Sequence, residues 1–168
     1  MNLFPERFFD SVDEVPFQSE YESGVRGIVF DIDNTLVPHG APADDHAAAL
    51  FGKLQDIGFR TCLISNNHEQ RVRPFAERVG ALFECDAGKP LKRGYLKAME
   101  LMRTSPEETL FIGDQILTDV WGANRAGIRS FLIRPVSRDT DPLQVKLKRI
   151  LEIPVLFFFR RREQRKNP

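Results

Sequence analysis

Three times along this chain a short apolar run ends on a side chain suited to chemistry. Gly27–Asp31 (GIVFD) ends on an acid, Phe59–Ser65 (FRTCLIS) ends on a hydroxyl, and Thr109–Ile112 leads into Gly113-Asp114. Ala81–Glu84 and Ile128–Ile133, the latter stopped by Pro135, complete five candidate strands. The intervals between them read as helices. Asp44–Ile57 repeats Ala48, Phe51, Leu54 and Ile57 at steps of three and stops at Gly58. Glu69–Val79 reads as a helix that Pro74 should bend or interrupt. Leu91–Met102 follows Pro90, and Ile116–Ala126 ends at Gly127. Strands alternating with helices predict an α/β fold with a parallel central sheet and right-handed crossovers. Ligands of such sheets gather outside the carboxyl ends of the strands, where all three polar endings fall.

Asp31 and Asp33 form the strongest pair. In extended chain, side chains two apart share a face, so Ile32 returns to the core while the two acids point together. Adjacent carboxylates repel unless a shared proton or a cation relieves them. A surface acidic turn has the same composition, but this pair directly follows an apolar strand. Asp114 follows another, with Asp119 five residues on. Asp114 suits metal ligation or the capping of the next helix, and Asp119 is the weaker metal candidate. Ser65 at its strand end suits a phosphate oxygen, and Lys89 in Gly88-Lys89-Pro90 is aimed toward the strand ends by the helix entry. Taken singly, such a Ser is usually a turn residue and such a Lys is usually solvated.

These four elements, in this order, resemble the motifs of the haloacid dehalogenase (HAD) superfamily. Asp31-Ile32-Asp33-Asn34-Thr35 resembles the first, Ser65 the second, Lys89 the third, and Gly113-Asp114 with Asp119 the fourth. FDIDNTLVP, ISNN, GKP and IGDQILTDVWGANRAGI together resemble the YqeG-type HAD phosphatases of subfamily IIIA, relatives of the phosphatidylglycerophosphate phosphatases. The resemblance spans about residues 25–135. It implies a HAD-like Rossmannoid three-layer sandwich and a phosphatase that passes through an aspartyl-phosphate. Asp31 would be the nucleophile and Asp33 the acid and base. Mg²⁺ would be held by Asp31, Asp114 and Asp33 through its backbone carbonyl. Ser65, Asn66 and Lys89 would bind the phosphoryl oxygens, Thr35 would shape the turn, and Asp119 would support the metal or orient Lys89. The intervals Thr35–Ser65 and Asn67–Lys89 leave no room for a cap domain. An open site suits a large substrate or one presented at a surface.

Length and composition bound the rest. A chain of 168 residues with 42% hydrophobic and 29% charged content fits one soluble domain, with a core at about 24–136 and flanks at 1–23 and 137–168. Zero net charge gives no sign of a nucleic-acid partner. Cys62 and Cys85 read as thiols of a reducing compartment. With neither a signal peptide nor a membrane span, the expected location is cytoplasmic. The flanks hold half of the fourteen phenylalanines, so they either pack on the domain or bind something apolar. Val155–Phe159 runs into Arg160, Arg161 and Arg162, with Arg165 and Lys166 beyond. That order suits peripheral contact with the inner face of an anionic membrane. A last strand or packed tail with solvated arginines suits it almost as well. The expected substrate is a phosphomonoester, with a phospholipid as one candidate and a soluble sugar phosphate or nucleotide as another. A receiver-like signalling module shares the acidic pocket and the Lys, but an acid/base two residues after the nucleophile favours turnover. A non-catalytic membrane scaffold would not need the full set of acids.

Overall fold

The strands form where β-branched and aromatic residues can be buried on both faces. The computed structural model describes residues 2–137, 139 and 141–166, and the backbone alone for Arg160 and residues 163–166. Its elements in chain order are β1 (Arg7–Phe9), α1 (Phe17–Glu22), β2 (Gly27–Phe30), α2 (Asp45–Ile57), β3 (Arg60–Ile64) and α3 (Glu69–Val79). They continue with β4 (Leu82–Glu84), α4 (Lys92–Met102), β5 (Thr109–Gly113), a π-helical turn (Ile116–Val120), α5 (Trp121–Ala126), β6 (Arg129–Ile133) and α6 (Leu143–Lys166). Among the described residues the strands make one parallel sheet in the order β1-β6-β5-β2-β3-β4.

The alternation of side chains along the strands builds two apolar layers. Ile28, Phe30, Leu63, Leu110 and Ile112 pack with Phe51, Leu54, Val72 and Phe75 of α2 and α3. Val29, Cys62, Ile64 and Phe111 face the other way, onto Tyr95, Ala98 and Met102 of α4 and Ala123 of α5. A sheet buried on both sides lets its strands read as continuous apolar runs, as they do here. The expected three-layer α/β arrangement is what the chain adopts. Thr35 to Ser65 holds a loop, α2 and β3, and Asn67 to Lys89 holds α3 and β4, with no inserted cap in either interval. The predicted helix over Ile116–Ala126 is divided, its first five residues forming the π-helical turn. α3 runs through Pro74. The carbonyl that Pro74 leaves without a helical partner is that of exposed Gln70, in the first turn, where water reaches it.

The flanks depart furthest from expectation. β1 adds to the edge of β6, and Phe9 packs on Phe131 with ring centroids 5.3 Å apart. Phe17 meets Phe59. The amino-terminal aromatics therefore complete the core and are not offered to an apolar partner. The carboxyl-terminal segment is not a strand but the helix α6, which contains Pro154 and packs on the domain through Val155, Leu156 and Phe159. Of its three phenylalanines only Phe159 is buried, beside Phe4. The side chains of Arg160, Arg165 and Lys166 lie outside the described residues. No helix is long and apolar enough, among the described residues, to cross a membrane.

Candidate active site

β2 lies between β3 and β5, at the point where the winding of the sheet reverses. Neighbouring loops part there, which is where a doubly wound sheet opens a crevice. Asp31 follows β2, Ser65 follows β3 and Asp114 follows β5, so all three polar strand endings meet at one edge. The Asp31 N–H still donates to the Ile112 carbonyl at 3.0 Å, which anchors the first residue beyond the strand. A cavity of about 300 Å³ opens above this edge, and Asp31, Asp33, Ser65, Asn66 and Lys89 line it.

The carboxylates of Asp31, Asp114 and Asp119 converge, with oxygens from all three within 4.8 Å of one another. Gly113 permits this, because a Cβ there would lie 2.7 Å from Asp119 Oδ2. Tyr95 Oη donates to the backbone carbonyls of Thr118 and Asp119, which holds the π-helical turn under the strand end. Lys89 Nζ donates to Asp31 Oδ1 and, at 2.8 Å, to Asp119 Oδ1. The other Asp119 oxygen accepts from the Gln115 N–H. Both Asp119 oxygens are thus engaged, and the residue acts on Lys89. Burial pushes the Asp31 carboxyl up to about 7 and outweighs the opposing pull of Lys89. Burial would push the Lys89 ammonium down, but Asp119 and Asp31 together raise it.

Asp33 lines the same cavity but turns its carboxylate to another set of donors. Gly40 N–H reaches Oδ1 at 2.8 Å, Arg71 Nη2 reaches it at 3.1 Å, and Asn67 Nδ2 reaches Oδ2 at 2.7 Å. The three acids that converge are therefore Asp31, Asp114 and Asp119, with the Asp33 side chain outside that group. Thr35 Oγ1 contacts Asp31 Oδ2 at 3.3 Å. Ser65 Oγ accepts from the Asn67 N–H. Asn66 grips the backbone of Lys89 from both sides, donating to its carbonyl and accepting from its N–H. Its amide thus satisfies the loop and fixes the lysine backbone.

Sequence reasoning missed Arg149. From α6 it reaches Asp114 Oδ2 and Asp141 Oδ2, each at 2.5 Å. Asp141 in turn accepts from Asn34, whose φ of 64° turns the loop after Asp33. This chain ties the loop after β2 and the β5 acid to the last helix. Asp114 serves no capping role here, since its Oδ2 is held by Arg149 and its Oδ1 is buried without a partner among the described residues. A buried carboxylate oxygen lacking any donor, next to two more acids, fits a hard cation. Burial raises the Asp114 carboxyl well above the usual range, with Asp119 and Asp31 adding to the effect and Arg149 opposing it.

Glu152, one turn beyond Arg149, is buried with Oε1 accepting from the Leu117 N–H at 2.9 Å. Burial pushes its carboxyl up to about 7 against that hydrogen bond. A carboxyl raised on folding costs stability once pH exceeds its folded value, and the cost fades as pH falls toward the unfolded value. Glu152→Gln keeps the acceptor and removes the charge. Its melting temperature should exceed wild type at pH 8, by up to about 3 kcal/mol in stability, and converge with it near pH 5. Equal melting at pH 8 would mean that the charge carries no cost.

Comparison with known proteins agrees with this geometry. A match to the haloacid dehalogenase-like hydrolase family covers residues 38–127, just over half of the chain. The probable phosphatase YqeG of Bacillus subtilis is 33% identical over 161 residues, 95% of this chain and 93% of that protein. The chloroplastic phosphatidylglycerophosphate phosphatase 1 of Chlamydomonas reinhardtii is 30% identical over 77% of this chain, which spans 52% of that protein. Among solved structures, the cobalt-bound deoxy-D-mannose-octulosonate 8-phosphate phosphatase of Haemophilus influenzae shares the fold. Its TM-score is 0.54 at 16% identity, with 78% of this chain and 77% of that one covered. With strand order, acid placement and sequence in agreement, the chain belongs to the haloacid dehalogenase-like hydrolases, in their YqeG-type branch.

Proposed function

We propose that this phosphatase is Mg²⁺-dependent, acts through an aspartyl-phosphate on Asp31, and converts phosphatidylglycerophosphate to phosphatidylglycerol. The observation that carries the chemistry is the buried Asp31 at the end of the central strand, paired to Lys89 and facing the open oxygen of Asp114. In the first step an Asp31 oxygen bonds phosphorus as the ester P–O bond breaks, and Asp33 gives its proton to the departing alcohol. In the second, water attacks the phosphoaspartate, Asp33 takes the proton, and inorganic phosphate leaves with Asp31 restored. Ser65 and Lys89 hold the phosphoryl oxygens that do not react. Asp31, Asp114 and the Asp33 backbone carbonyl would hold Mg²⁺, whose charge offsets the repulsion between nucleophile and dianionic substrate. The catalytic unit is the whole of 1–168, because α6 supplies Arg149. The lipid assignment draws on the algal relative's name and on the absence of an inserted cap. It implies a cytoplasmic protein peripheral at the inner membrane face, docked through its carboxyl-terminal segment.

Phosphate release from phosphatidylglycerophosphate, compared with glycerol 3-phosphate and a nucleoside monophosphate in Mg²⁺ and in EDTA, tests the reading. Preference for a soluble ester would remove the lipid, and full activity in EDTA would remove the metal. Mg²⁺ should also raise the melting temperature by mass action. Asp114→Ala should flatten that titration, and an unchanged titration would take Asp114 out of the coordination sphere.

A further inference from the structure

The helix α6 carries apolar side chains on both sides, and its outward side is not that of a helix facing water. Its charged residues Arg149 and Glu152 face the protein, while Leu143, Leu147, Ile150, Leu151, Phe157 and Phe158 face out, each more than half exposed. Leu147 lies four after Leu143 and three or four before Ile150 and Leu151, and Phe157 and Phe158 follow that pair by seven, two turns on, so all six fall on one side of the helix. An exposed apolar stripe of this length marks a surface that something covers. The charges beside it are of one sign. Lys146, Arg161 and Arg162 are exposed, and the helix's described acid, Glu152, is buried. Two copies of α6 packed stripe to stripe would bring these cations together. An anionic bilayer would accept both the stripe and its cationic border.

The same helix is also a wall of the catalytic cavity, through Gln144, Val145 and Lys148. Lys148 is half-buried there and has no ion-pair partner among the described residues. It borders the stripe beside Leu151, three residues on, and lines the cavity that holds Asp31. We infer that α6 lies on an anionic phospholipid bilayer by its exposed apolar stripe, and that Lys148 receives the second anionic group of a lipid phosphomonoester. The terminal phosphate then meets Asp31 while a diester phosphate rests on Lys148 and the acyl chains stay in the bilayer. The docking face deepens the peripheral-membrane reading above, and the Lys148 assignment rests on its phospholipid substrate.

Flotation with phosphatidylglycerol vesicles that contain no substrate tests the face by itself. Wild type should float at low salt and stay behind with phosphatidylcholine. Leu147→Gln/Leu151→Gln/Phe158→Gln, changed only at exposed positions and checked for folding by its melting curve, should lose at least tenfold in bound fraction. Wild type that stays in solution, or a triple variant that floats equally, overturns the docking face. A wild-type dimer that the triple variant dissolves, with flotation unaltered, assigns the stripe to a second copy and overturns it too. Lys148→Gln is read by its KM values for short-chain, monomeric phosphatidylglycerophosphate and for glycerol 3-phosphate, which lacks the diester. The first should rise about tenfold more than the second, and equal changes overturn the role of Lys148. If wild type floats but hydrolyses only soluble esters, the lipid substrate and the Lys148 assignment fall while the docking face stands.

Discussion

Asp31→Asn should take phosphomonoester hydrolysis to background, while the protein stays folded. The substitution keeps the side-chain shape at the end of β2, and the backbone bond to Ile112 does not depend on it. It removes the oxygen that would form the proposed acyl phosphate, and no other carboxylate replaces it. Asp114 is clamped by Arg149, Asp119 by Lys89 and Gln115, and Asp33 by Arg71 and Asn67. Asp33→Asn should be less severe, because general acid–base catalysis contributes about 10²–10⁴-fold. Mass spectrometry after rapid acid quench should find phosphate on Asp31 in wild type and none in Asp31→Asn. Measurable turnover in Asp31→Asn would sink the covalent route, and the hydrolysis would then need a directly attacking water.

Arg149→Met should be the most damaging change to stability outside the apolar core. Asp114 and Asp141 have fully buried side chains, and one guanidinium serves both. Removing one partner of a buried ion pair costs about 3–5 kcal/mol, since it strands the other charge. In a chain of this size that is a fall in melting temperature of roughly 10 °C. Arg149→Lys keeps the charge but cannot form the fork to both acids, so it should fall between the two. Mg²⁺ should restore more stability to Arg149→Met than it adds to wild type, because the cation would neutralise the stranded Asp114. A melting point within 2 °C of wild type, measured without metal (about 0.5–1 kcal/mol), would mean that the Arg149 contacts contribute almost nothing.

The site residues that were legible in the sequence are those set by local pattern. Asp31, Ser65 and Asp114 each end an apolar run, and a parallel sheet delivers such endings to one edge whatever the order of its strands. Asp119 and Lys89 carry little weight by local pattern and were legible through the family resemblance, and the structure added that they hold each other. Asn66 stands beside Ser65, where its amide suits either a phosphate or the loop's own hydrogen bonds. Its actual partner, the backbone of Lys89, lies 23 residues away and leaves no local trace.

Arg149 carried no signal at all. It sits in a basic stretch, and its partners are 8 and 35 residues distant. The helix around it was hidden for a related reason. Apolar residues on its inner side (Val155, Leu156, Phe159) and on its outer side blur the period of 3.6 that reveals an ordinary amphipathic helix. The three-residue strand Arg7–Phe9 has no independent preference strong enough to declare itself, and it is a strand only because β6 offers an unpaired edge.

By itself, then, the sequence determined the α/β alternation, the carboxyl-end placement of the acids and the absence of an inserted cap, because each follows from short-range periodicity and interval length. Only the tertiary structure decided the strand order, the turning of Asp33 toward Arg71, the clamping of Asp114 by Arg149 and the outward face of α6. Those depend on which distant surfaces meet, and burial gives a lone arginine or an apolar stripe its meaning only after they have met.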